Sequence, residues 1–205
     1  MIALIDYGSG NLKSVAKAFR KLGADIQLVQ NPEKIQTAAA VVLPGVGAFG
    51  DCLAAMRRQN MEDAIKRAIQ AGKPFLGICV GYQALFQHSQ EFGNNEPGLG
   101  YFSGTVRKFT ERPGLKIPQI GWNQLRITQP NCPLYKGIKD GSYVYFVHSF
   151  YPDTTDQTII TTQTEYGDIY ASSVWKDNIF GVQFHPEKSQ QVGLKILQNF
   201  LELIP

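Results

Sequence analysis

Pro74-Phe75-Leu76-Gly77-Ile78-Cys79-Val80-Gly81 is an apolar run that ends on a turn of small residues, and residues 81–88 beyond it carry helical spacing. Apolar character at every position predicts a strand covered on both faces, as in a parallel sheet between layers of helix. On the N-terminal side, residues 2–6, 25–29 and 38–43 read as strands of the same kind. Helical patterns separate them. Leu12, Val15, Ala16, Phe19 and Leu22 recur at three- and four-residue steps within 11–22, with Gly23 as the stop, and 51–58 and 61–71 follow. Strand and helix in alternation predict an α/β fold with a mainly parallel sheet flanked by helices.

The texture changes after Gly93-Asn94-Asn95-Glu96-Pro97-Gly98. Residues 105–109, 143–150, 158–164 and 169–175 read as antiparallel strands added to the same sheet or packed beside it. One more apolar strand is expected over 179–184 and a closing helix over 192–203. No internal repeat or long linker divides the chain, so one domain over residues 1–205 is expected.

Hydrophobic residues make up 43% and charged residues 18% of the 205, enough apolar surface for a buried core. The net charge of +3 is small and scattered, which argues against a nucleic-acid partner. No apolar run approaches the roughly 20 residues that cross a bilayer, so no membrane partner is expected. Met1 leads directly into the strand-like Ile2-Ala3-Leu4-Ile5, which predicts a cytoplasmic address. Cys52, Cys79 and Cys132 are an odd number with no CxxC spacing, so reduced thiols are expected.

Gly77-Ile78-Cys79-Val80-Gly81 has the spacing of a nucleophile elbow, where flanking glycines make room for a tight strand-to-helix turn. The helix start beneath such a turn favours a thiolate, and the amide of Val80 can face a developing oxyanion. A thiol nucleophile needs a base, and the histidines are His88, His148 and His185. His88 reads as the solvent end of a helix, and His148 as a core histidine or part of a pocket rim. His185 is followed by Pro186 and Glu187, and residues two apart in extended chain face the same side, so Glu187 can orient the ring. Cys79, His185 and Glu187 together indicate acyl transfer. Zinc deaminases share the H-x-E pattern, but their further cysteine ligands are missing because no cysteine follows His185, so no metal is expected.

Pro44-Gly45-Val46-Gly47-Ala48-Phe49-Gly50 spells G-x-G-x-x-G, yet the acid that a dinucleotide site wants about 20 residues on is absent from the next strand. No cofactor is expected. At the end of a neighbouring strand, this backbone can supply a second oxyanion donor over Cys79. Its glycines let one peptide take either orientation, so that donor need not be aimed until a partner selects the aimed state.

Gly77-Ile78-Cys79-Val80-Gly81-Tyr82-Gln83 and His185-Pro186-Glu187 resemble the G-x-C-x-G-x-Q and H-P-E motifs of class I glutamine amidotransferases. Within that class the chain resembles the glutaminase subunits of imidazole glycerol phosphate synthases. The residues concerned are Asp6-Tyr7-Gly8-Ser9-Gly10-Asn11-Leu12-Lys13-Ser14-Val15, the 44–51 stretch, Gly121-Trp122-Asn123 and His185-Pro186-Glu187-Lys188-Ser189. The resemblance implies a mixed, mainly parallel sheet with added antiparallel strands in the C-terminal half. It also implies glutamine as substrate, Cys79 as nucleophile, His185 as base and acid, and Glu187 as its orienter. The oxyanion hole would combine Val80 with Gly45, Val46 or Gly47, while Gln83 and the backbone at His148 and Ser149 would hold the amino-acid end of glutamine. The implied protein partner is a (β/α)₈-barrel cyclase subunit in a heterodimer, met by Trp122, Asn123, Tyr145 and Lys188, to which ammonia would be channelled.

Overall fold

A computed structural model describes residues 1–8, 11–93 and 95–205; Ser9 and Gly10 of the opening motif and Asn94 lie outside the described residues. The N-terminal half runs β1 (Ile2–Ile5), α1 (Leu12–Lys21), β2 (Ile26–Val29), α2 (Pro32–Thr37), β3 (Ala40–Gly45), α3 (Phe49–Arg58), α4 (Met61–Gln70), β4 (Phe75–Cys79) and α5 (Val80–Gln83). Then come β5 (Phe86–Ser89), β6 (Glu96–Pro97), β7 (Phe102–Lys108), β8 (Gln119–Gln124), β9 (Arg126–Ile127), β10 (Tyr143–His148) and β11 (Phe150–Asp153). The chain closes with β12 (Ile160–Tyr166), β13 (Asp168–Lys176), β14 (Ile179–Val182) and α6 (Gln190–Leu201).

The main sheet has eight strands in the order β2-β1-β3-β4-β14-β13-β12-β9. Pairing is parallel from β2 to β14 and antiparallel from β14 to β9. Every residue of β1, β3, β4 and β14 is buried, as continuous apolar runs require of strands covered on both sides. α1 buries Val15, Ala16, Ala18 and Phe19 and packs with α6, where Phe19 meets Phe200 edge-on at 6.3 Å. α4 buries Met61, Ala64, Ile65, Ala68 and Ile69 and packs with α2 and α3. The added antiparallel strands occur in both expected forms. β13, β12 and β9 extend the main sheet, while β8 with β10, and β11-β7-β5-β6, form two smaller sheets.

The structure departs from the sequence expectation at residues 81–88 and 143–150, which shape the site, and at the short α2. Residues 81–88 are not one helix: α5 is a single turn, and Phe86–Ser89 is β5, parallel to β7. The backbone of 84–87 accepts hydrogen bonds from Gly98, Leu99, Gly100 and Phe102, partners from later in the chain that outcompete a local helix. Residues 143–150 are not one strand either; β10 pairs with β8, the chain turns at Ser149, and β11 pairs with β7. The short α2 escapes periodicity, although Asn31 caps it by accepting from the Glu33 amide at 2.8 Å and Pro32 stands at its start. Among the described residues no helix is long and apolar enough to cross a membrane.

Candidate active site

β4 and β14 lie side by side in parallel register, with Ile78 opposite Val182, so both strands deliver their next residues to the same edge of the sheet. Cys79 ends β4 at φ 57° and ψ −111°, a conformation that costs a side-chain-bearing residue about 1–3 kcal/mol and needs surroundings that enforce it. The glycines of the elbow provide them. A Cβ at Gly81 would strike the Leu43 carbonyl of β3, and one at Gly77 would strike the Gly81 carbonyl. The Cys79 Sγ stands 3.9 Å from the Val147 carbonyl and 3.8 Å from the Gln183 side-chain amide.

His185 follows β14, and its amide donates to the Tyr145 carbonyl at 2.9 Å. Ser189 fastens the turn, donating from Oγ to the His185 carbonyl at 2.7 Å and accepting from the Tyr145 amide at 2.9 Å. The His185 Nδ1 lies 2.8 Å from the Glu187 Oε1, and both side chains are buried, at 2% and 1% exposure. A carboxylate only accepts, so Nδ1 carries the hydrogen and Nε2, which has no other partner among the described residues, is left to Cys79. Burial opposes charge on His185, yet interaction with Cys79 and with Glu187 outweighs it and pushes the pKa up to about 10. The arrangement favours an imidazolium beside the sulfur.

Cys79 and His185 open into a cleft of about 370 Å³ that Val46, Gly47, Val80, Gln83, Glu91 and Ser149 help to line. A larger groove of about 680 Å³ around Lys108, Arg112 and Leu115 has neither cysteine nor histidine among its described lining residues, so chemistry and not size selects the site. Val46, Gly47 and Val80 reach the cleft with Cys79, whereas Gly45 is the last residue of β3, level with Cys79. A Cβ at Gly45 would lie 2.6 Å from the Val80 Cβ and 2.7 Å from the Gly81 nitrogen, so this glycine permits close approach of β3 to the elbow. The positive φ of 92° belongs to Gly47, which has open space around it.

Gln83 lines the cleft, but both hydrogens of its amide nitrogen are engaged, by the Phe150 carbonyl at 2.8 Å and the Gln183 Oε1 at 3.1 Å. His148 is buried among Phe109, Phe146 and Tyr170, with Nδ1 2.8 Å from the Phe150 carbonyl and Nε2 3.2 Å from the Tyr170 hydroxyl. Burial, reinforced by the charge of His185 and opposed by the Phe150 carbonyl, lowers its pKa to about 3, so it stays neutral. His88 lies on β5 and not at the end of a helix, and it does not line the cleft.

Glu91 is a cleft residue that sequence reasoning missed. Its Oε2 accepts from the Phe49 amide at 2.6 Å, and burial raises its pKa against that hydrogen bond, with Asp51 adding to the rise. It brings a carboxylate to the cleft wall only because the chain turns into β5, and nothing in the local sequence marks it.

Trp122 and Tyr145 sit opposite each other on β8 and β10, ring centroids 6.1 Å apart, and the Lys188 ammonium lies 5.7 Å from the Tyr145 ring centre. Asn123 is turned inward, donating to the Glu165 carbonyl at 2.8 Å and accepting from the Gln124 amide at 2.7 Å.

The profile of the family described as glutamine amidotransferase class-I matches residues 3–203. The chain belongs to this family. Among curated relatives, the imidazole glycerol phosphate synthase subunit HisH of Chloroflexus aurantiacus is 49% identical, covering 98% of this chain and 95% of that relative. The subunit of the same name from Trichodesmium erythraeum is 48% identical over 99% of this chain and 94% of its own length. Solved structures share the fold. One described as the crystal structure of glutamine amidotransferase aligns at TM-score 0.76 and 18% identity, covering 99% of this amidotransferase and 98% of that chain. The structure of PurLQS from Thermotoga maritima also aligns at 0.76, with 21% identity, 100% of this chain and 98% of that one.

Proposed function

We propose that this amidotransferase is the glutaminase subunit of an imidazole glycerol phosphate synthase, acting in the cytoplasm with Cys79, His185 and Glu187 as its catalytic residues. The observation that carries the reading is the buried His185–Glu187 pair aimed at the elbow sulfur in a chain 45–49% identical to subunits of that name.

The Cys79 thiolate attacks the side-chain amide carbon of glutamine, and the charge moves to the amide oxygen. The amide of Val80 and one from the Val46-Gly47 segment face that oxyanion. His185, protonated at Nε2, gives its proton to the departing nitrogen, so ammonia leaves and a γ-glutamyl thioester remains. The now neutral Nε2 takes a proton from water, which attacks the thioester; collapse returns the thiolate and releases glutamate. Glu187 holds the ring throughout. Glu91 accepts the α-ammonium of glutamine, and the backbone at His148 and Ser149 takes its carboxylate. Ammonia passes to a (β/α)₈-barrel cyclase subunit docked on the β8–β10 ribbon at Trp122, Tyr145 and Lys188.

Cys79→Ala tests this reading in the two-subunit complex. Glutamine-dependent synthesis should fall below about one-thousandth of wild type, while synthesis from added ammonia stays nearly intact. Retained glutamine hydrolysis would remove Cys79 from the mechanism.

A further inference from the structure

We propose that Gln183 belongs to the catalytic machinery: its side-chain amide donates a hydrogen bond to the Cys79 thiolate, and Gln83 locks that amide in the donating orientation. Gln183 is fully buried, and its backbone amide is tied to the Ser172 carbonyl at 2.9 Å. It stands one residue beyond the Val182–Ile78 pair, level with Cys79 on the adjoining strand.

The orientation follows from a chain of donors and acceptors. The Phe150 carbonyl can only accept, so the Gln83 group 2.8 Å from it is the amide nitrogen. The other hydrogen of that nitrogen points to the Gln183 Oε1 at 3.1 Å, which leaves the Gln183 Nε2 to the sulfur at 3.8 Å. Turning the Gln183 amide over would set nitrogen against nitrogen and carbonyl oxygen against thiolate, inside a site with little water to compensate.

The two protonation states of Cys79 use different partners. A thiol donates to the Val147 carbonyl 3.9 Å away; a thiolate cannot, and accepts from Gln183 instead. Gln183 therefore holds the state that attacks glutamine, as a donor in addition to His185. The other ionisable groups near the sulfur are His185 beyond β14, Tyr7 beyond β1, Cys52 on α3, His148 on β10 and Glu91 at the cleft wall. Burial keeps Tyr7 and Cys52 protonated, and His148 is uncharged, so near neutral pH they add no competing charge.

The inference rests on Cys79 being the nucleophile, and one experiment separates the two. The full-length protein is alkylated with iodoacetamide across a pH series, and labelling of the Cys79 peptide is followed by mass spectrometry. Buried Cys52 and Cys132, both pushed up to about 12, serve as slow references. In Gln183→Met and in the same-sized Gln183→Glu, the pH of half-maximal labelling should rise by roughly 0.5–1 unit or more, because a donor to the charged form is lost. The high-pH plateau should stay within about twofold, and glutamine turnover should lose kcat more than KM. Unchanged midpoints in both variants, or loss of the native circular dichroism in both, would make Gln183 a packing residue only. A wild-type Cys79 that labels no faster than the references would instead remove the nucleophile assignment.

Discussion

His148 and His185 are both buried, and their surroundings push them in opposite directions, to about 3 and about 10. Both start near 6.5 in the unfolded chain. Between about 6.5 and 3 the unfolded chain binds a proton at residue 148 that the native chain refuses, so stability falls on acidification. Between about 6.5 and 10 the native chain keeps a proton at residue 185 that the unfolded chain has lost, so stability falls as pH rises. Each contributes a slope of up to about 1.4 kcal/mol per pH unit inside its own window. Urea unfolding across pH checks both: His148→Gln should flatten the acid limb, and Glu187→Gln should make the alkaline loss end at lower pH. An acid limb that His148→Gln leaves untouched would assign the acid loss to carboxylates.

The elbow and the β3–α3 loop contain glycines that do different work. Gly45 lets β3 close onto Val80 and Gly81, while Gly47 holds a positive φ of 92° in open space. The freedom expected of the whole Gly45-Val46-Gly47 segment therefore resides at Gly47, because Gly45 is fixed in a strand. Gly45→Ala should displace the elbow, slow Cys79 alkylation together with turnover, and cost about 1–3 kcal/mol of stability by overpacking. Gly47→Ala should strain the loop by about 1–2 kcal/mol and change glutamine turnover while leaving alkylation near wild type. Iodoacetamide labelling and thermal melts on the two variants distinguish them; native labelling in Gly45→Ala would separate β3 from the elbow.

The β8–β10 ribbon couples the outside of the molecule to the sulfur. Its outer face carries Ile120, Trp122 and Tyr143, at 62%, 45% and 54% exposure, with Tyr145 and Val147 beside them in register. The Val147 carbonyl reaches Cys79 and the Tyr145 carbonyl holds the His185 backbone, so a partner docked as proposed would sit against a strand that touches both Cys79 and His185. If the proposed docking holds, Trp122→Ala should weaken binding of a cyclase subunit by roughly tenfold or more, as loss of an exposed aromatic anchor does. Because Trp122 is half exposed and its ring meets Tyr145 only edge-on, the melting temperature of the isolated chain and its Cys79 labelling should change little. Calorimetric titration of the two subunits measures the effect, and wild-type affinity would move the docking face elsewhere.

Spacing in the sequence was enough to determine the parallel half of the sheet, the elbow at Cys79 and the His185–Glu187 pair. Each rests on short-range geometry: apolar runs for covered strands, glycines where a Cβ would collide, and two residues on one side of an extended turn. The tertiary structure alone decided that 86–89 leaves the helix and pairs with β7, that the chain breaks at Ser149, that Glu91 reaches the cleft wall and that Gln183 reaches the sulfur. Those placements depend on partners far away in the chain. A hydrogen bond from Leu99 to the Ala84 carbonyl, or from Gln83 to the Phe150 carbonyl, joins residues whose meeting no local pattern encodes.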